Sequence, residues 1–160
     1  MRMKHPRDAG FSLIELLIVV AIILVIAAIA IPSLLHSKMA ANEASAVGSV
    51  RTLNTALLNY CSTYGIGYPA SLANVAPSPT PSSSSADLLD AVLVSGVKSG
   101  YAFTYSPEAP DSHGIINTYT LTADPISPGK SGQRGYFTDQ SMVIRVNAAG
   151  PASATDPALN

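Results

Sequence analysis

The chain has 160 residues and a formal net charge of −1, with 12% charged and 48% hydrophobic residues. Soluble domains average about 25% charged residues, so the apolar excess must be concentrated somewhere. A wholly cytosolic globular enzyme, a multi-pass transporter and a disordered chain are excluded; one hydrophobic anchor joined to one modest domain fits.

Residues 1–10 form a short leader in which Arg2, Lys4 and Arg7 outweigh Asp8. Without it, six bases face nine acids, a poor surface for phosphate neutralisation, so no nucleic-acid partner is expected. From residue 11 to 31 only Ser12 and Glu15 interrupt the apolar run. At ~1.5 Å per helical residue it spans about 30 Å, the hydrocarbon thickness of a bilayer.

The pattern predicts one long helix over residues 11–64. Residues 11–31 are apolar all round, as in a membrane span or a filament core. Residues 32–64 continue it as an amphipathic helix, with Val47, Val50, Leu53, Leu57, Cys61 and Tyr64 on one stripe. Asn42, Ser45, Ser49, Thr52, Thr55 and Asn59 fall largely off it. Pro32 lacks a backbone donor and predicts a kink or loosened turn; Gly65, Gly67 and Pro69 end the helix.

Residues 65–160 read as a globular domain. The Pro/Ser-rich run 77–85 predicts an extended or mobile loop. Residues 87–94 predict a short helix capped by Ser85 or Asp87 and closed by Gly96. The period then changes to two. Tyr101, Phe103 and Tyr105 alternate with small or polar neighbours, as do Tyr119, Leu121 and Ala123. Two further runs, 134–138 and 142–146, complete three or four antiparallel strands with one apolar face. The fold class expected is α+β, the helix stripe covering that face.

Three readings of the N-terminus compete. A secretory signal peptide would be cut near Ala28-Ile29-Ala30, but the apolar run is longer than such a segment needs and contains a carboxylate. A plain transmembrane anchor also has to accommodate Glu15, although a helix N-terminus favours an anion. The third comes from the residues themselves. Gly10-Phe11-Ser12-Leu13-Ile14-Glu15-Leu16-Leu17, followed by an apolar helix with Pro32, closely resembles the start of type IV pilins and type II secretion pseudopilins.

The resemblance implies a pilin-like fold and a set of roles. A prepilin peptidase would cut after Gly10 and methylate the amino group of Phe11. Glu15 would pair with the Phe11 ammonium of a neighbouring subunit, with Phe11, Glu15 and Pro32 forming the assembly segment. Partners implied are further copies in a helical filament, an assembly ATPase and an inner-membrane platform protein. The location implied is the bacterial inner membrane as a single-pass precursor, then a periplasmic or extracellular filament. The chain lacks the C-terminal cysteine pair of many major pilins, since Cys61 is its single cysteine. A pilus subunit and a secretion pseudopilin stay unseparated, and a membrane-anchored or secreted binding or hydrolytic domain is the reading from another class.

Catalytic motifs are missing: no HExxH, GxSxG or CxxC occurs, and no enzyme activity or cofactor is expected. His5, His36 and His113 are scattered. Gly129-Lys130-Ser131 lacks the upstream glycine of a phosphate-binding loop, having Asp124 there, and reads as a turn. Asp111, Asp124 and Asp139 lie in separate loops without calcium-loop spacing, so no metal site is expected.

Overall fold

Helix α1 runs from Leu13 to Tyr64 with Pro32 inside it. The computed structural model describes residues 10–159, so the leader residues Arg2, Lys4, His5, Arg7 and Asp8 lie outside the described residues. The chain divides into two compact units, 1–37 and 38–160. In the first, the helical side chains from Leu13 onward are exposed almost without exception. The helix is long and apolar enough to cross a membrane. It ends at Tyr64, as the glycines predict, with Gly65 at φ +65 and Gly67 at φ +83. Both lie in the left-handed region that terminates helices at low steric cost.

In the second unit α1 buries Glu43, Ala46, Ser49, Val50, Leu53, Asn54, Ala56, Leu57 and Tyr60. The buried face is therefore rotated from the stripe expected from hydrophobicity. Val47 and Tyr64 are only partly buried and Cys61 is half-exposed, while polar Ser49 is inside. Small residues, Ala46, Ser49 and Ala56, therefore fill part of the face that packs into the core, where hydrophobicity alone would place larger ones.

After a single 3-10 turn, Leu72–Val75, the Pro/Ser run folds back on itself rather than extending. Ser82 and Ser85 exchange main-chain hydrogen bonds at 3.0 Å, and the Ser83 carbonyl accepts the Tyr60 hydroxyl at 2.7 Å. Helix α2 is shorter than predicted, Ala91–Val94, and its cap is Asp90, which accepts the Leu93 N–H at 2.7 Å. Asp87 instead takes a positive φ of 55 and accepts the Ser78 N–H. The helix cannot start before that left-handed residue.

Five antiparallel strands follow: β1 Val97–Lys98, β2 Tyr101–Pro107, β3 Tyr119–Pro125, β4 Gly135–Asp139 and β5 Arg145–Asn147. Each pairs with its sequence neighbours, in the order β1-β2-β3-β4-β5. The register sets Phe103 opposite Ala123, Ala123 opposite Tyr136, and Tyr136 opposite Val146. That row, with Tyr101, Tyr119 and Leu121, meets Val50, Leu53 and Leu57 of the helix in one core. Beyond β5 the chain turns back, and Arg145 bridges Ala158 in antiparallel fashion.

Candidate assembly and processing site

The chain enters α1 through Gly10 and Phe11, both exposed. A side chain added at Gly10 would meet nothing within 4 Å, and the Phe11 ring is 86% exposed. Ser12 precedes the first helical residue. Its N–H donates to Glu15 Oε2 at 2.9 Å, its Oγ accepts the Ile14 N–H at 3.4 Å, and its carbonyl accepts the Leu16 N–H at 3.2 Å. These bonds cap the helix start: the Ser12 hydroxyl takes the N–H of the second helical residue, and the Glu15 carboxylate reaches back to the Ser12 N–H. The carboxylate also lies where the helix dipole favours negative charge. Sequence reading had isolated Glu15 as a charge in an apolar run and missed this role, although the Ser-x-x-Glu spacing announces it.

Only Oε2 is engaged; Glu15 Oε1 carries no hydrogen bond among the described residues. Residues 16–31 then present apolar surface on every side, and Pro32 sits further along the same helix. Pro32 has no N–H to give to the Ala28 carbonyl, so the ladder is one bond short there.

The other sequence candidates do not converge. Asp111 accepts the His113 and Ile115 N–H groups and the Asn117 amide, which hold its carboxyl below the ordinary range, the Ile115 bond first. Asp139 accepts the Ser141 N–H in a separate turn. Among the described residues no three His, Cys, Asp or Glu side chains gather as a metal cluster. Gly129, Lys130 and Ser131 form a turn whose N–H groups go to the Gly132 and Ser127 carbonyls, leaving none for a phosphate.

A second carboxylate matters to the unit that follows. Glu43 is 8% exposed. Its Oε1 accepts the Gln133 and Arg134 N–H groups at 2.9 and 3.3 Å, and its Oε2 pairs with Arg134 Nε at 2.9 Å. Three turns further along the helix, buried Asn54 donates to Thr138 Oγ1 at 3.0 Å and accepts the Tyr119 hydroxyl at 3.2 Å. Burial pushes the Tyr101, Tyr105 and Tyr119 hydroxyls upward, so all three stay protonated as donors. These polar contacts fix how the helix registers on the sheet. Glu43 keeps the three-to-four residue step of Ala46, Val50, Leu53 and Leu57, and that period was the signal that could have found it.

Comparison with known proteins bears on the N-terminal segment. Residues 5–31 match the family model for the prokaryotic N-terminal methylation motif. Over 58 residues the chain is 43% identical to the type IV major pilin protein PilA of Myxococcus xanthus. That match takes in 36% of this chain and 26% of the relative, so the chain spans about a quarter of the curated protein it matches. No solved structure matches. The motif and the relative make the N-terminal segment of this chain similar to that of type IV pilins.

Proposed function

We propose that the chain is the structural subunit of a type IV pilus-like filament. A prepilin peptidase cuts after Gly10 and methylates the new Phe11 amine. The subunit waits in the bacterial inner membrane as a single-pass protein, and an assembly ATPase acting with a platform protein drives it into the filament. The observation that carries this reading is the helix start: a continuous apolar surface with one carboxylate at its head, one of whose two oxygens makes no hydrogen bond among the described residues.

Two forces act on assembly. Burying the apolar helix among its copies contributes ~25 cal/mol per Å², without direction. Direction comes from the charges. Cleavage turns the Phe11 amide nitrogen into an ammonium beside a helix N-terminus, where the dipole opposes it. Glu15 Oε1 of a neighbouring copy supplies the counter-charge and sets the axial register. An ammonium buried without a partner costs ~3–5 kcal/mol, equivalent to more than about a hundredfold in incorporation.

The test is Glu15→Ala as the sole subunit, with the mass of the mature N-terminus measured alongside. Protein beginning at methylated Phe11 with sheared filaments reduced at least about a hundredfold supports the reading. A mature start at Ile31 would end it, and wild-type filament yield from Glu15→Ala would remove the pairing step.

A further inference from the structure

The meander places its connections at two ends of the second unit. Tyr101 lies opposite both Lys98 and Pro125, and Ala123 opposite Tyr136, so the β1–β2 turn and the β3–β4 loop share one end. Pro107 lies opposite Tyr119, and Thr120 opposite Asp139, so the β2–β3 loop and the β4–β5 turn share the other. Helix α1 enters the unit at the first end. There Asn42 donates to the Ser131 carbonyl at 2.8 Å, and the Ser45 and Ser99 hydroxyls meet at 2.9 Å.

The two ends differ in charge. Lys98, Lys130 and Arg134 lie at the first. Of the acids there, Glu43 is taken up by Arg134 and two main-chain N–H groups, and Asp124 has its Oδ1 shut off from solvent. Lys98 and Lys130 form no ion pair among the described residues, so this end is left net positive. The other end carries Glu108, Asp111 and Asp139, with His113 as its basic side chain. Asp111 and Asp139 accept N–H groups of their own turns, which shapes the loops without supplying a counter-charge. Glu108 is exposed and forms no ion pair among the described residues. The seven residues of β2 set the ends about 20 Å apart. Salt screens charge over ~8 Å, so each end acts on what faces it and the two do not cancel.

The pattern selects its partner. An anionic lipid surface or a nucleic acid would answer the lysines and leave three carboxylates without a counterpart. End to end, a two-fold pair would set like charges against each other. A second copy in the same orientation meets both ends with the opposite sign. Such a contact joins unlike patches, and it repeats into an open array unless its rotation closes a ring. We infer that copies of this chain dock head to tail, Lys98 and Lys130 of one against Glu108 and Asp139 of the next. Exposed pairs are individually weak, so these charges choose the end and the orientation while helix burial supplies the affinity. The contact rests on the filament reading for its setting.

The experiment dilutes the full mature chain, isotope-labelled in dodecylphosphocholine micelles, and follows it by NMR. Expected are concentration-dependent shifts that move together at Gly129 and Gly132 on one end and Gly114 on the other, and that shrink in salt. Lys98→Glu with Lys130→Glu should abolish both sets, as should Glu108→Lys with Ala109→Lys, and mixing the two variants should restore them. As sole subunits in cells, each variant should lower the sheared filament yield about tenfold, and a chain carrying all four changes should recover most of it. No shifts on diluting the wild type, shifts indifferent to both reversals, or filament yield unchanged by either would overturn the contact. Shifts confined to Gly129 and Gly132 that require phosphatidylglycerol in the micelle would give the basic end to a lipid surface and overturn it too. Coupled shifts from a wild type that yields no filaments would keep the contact and fail the filament reading alone.

Discussion

Removing the Glu43 carboxylate should be a costly single polar change in the second unit, and the reason lies in which of its bonds matter. The ion pair to Arg134 is half in water, the arginine side chain being 51% exposed. Such pairs are worth ~0–1 kcal/mol. The two main-chain N–H groups are different, because they belong to the turn entering β4 and have no other acceptor. A hydrogen bond to a charged acceptor contributes ~1.5–3 kcal/mol, and the second, at 3.3 Å, is the weaker of the two. Glu43→Ala should therefore cost about 3 kcal/mol, a large share of the ~5–15 kcal/mol that holds a domain. For a unit of this size that corresponds to a fall of about 12 °C in Tm. Arg134→Ala should lower Tm by no more than about 4 °C, and Glu43→Gln, which keeps a neutral acceptor, should lie between. The assay is thermal unfolding of the full chain in micelles, followed by the near-ultraviolet tyrosine signal. An Arg134→Ala protein as unstable as Glu43→Ala would refute the reasoning and give the stabilisation to the ion pair.

Three further outcomes are expected. Asn54→Ala should cost about 2–4 kcal/mol by leaving the Thr138 and Tyr119 hydroxyls unpaired in the core, while Tyr119→Phe in that background should recover part of the loss in a double-mutant cycle. Gly67→Ala should destabilise by more than about 2 kcal/mol, because its φ is +83 and the added carbon would lie 2.8 Å from the Ile115 side chain and 2.9 Å from the Ile116 nitrogen. Asp124→Asn should gain on the wild type as pH rises: a carboxyl raised by burial contributes stability below its unfolded pKa that is lost as pH climbs through the folded value. Urea titrations at pH 3 and pH 7 measure it, and a constant difference between the two proteins would contradict the assignment.

Local signals in the sequence carried the helix, its end and four of the strands. Two glycines after Tyr64 stop a helix by backbone freedom alone, and Tyr101, Phe103 and Tyr105 declare their faces by alternation. What hydrophobicity misplaced was the buried face of α1. Ala46 and Ser49 are buried by their position on the helix face, whereas Val47, larger and more apolar, is held half out. Strand β1 has only two residues, Val97 and Lys98, too few to show a period. The start of α2 was missed for a different reason. Asp87 is a good cap by type, and its left-handed φ is imposed by the folded Pro/Ser run that it bonds at Ser78. At the helix start the motif was legible and its local geometry was overlooked. The close approach of β4 to the returning chain at Gly135 and Gly150 was not legible at all, since it joins separate elements.

The short return of the chain after β5 has a consequence for solubility. The last strand of a meander presents a free edge, a template on which another chain can add itself. Here the Leu159 N–H donates to the Ile144 carbonyl at 2.7 Å and the Val146 N–H to the Pro157 carbonyl at 3.0 Å, so the tail occupies that edge itself. Pro157, with no N–H of its own, ends the invitation to pair further. Residues 157–159 thus cover an edge that would otherwise be open to strand addition. Pulling residues 157–159 away would expose a sticky edge and also take Leu159 from the margin of the core.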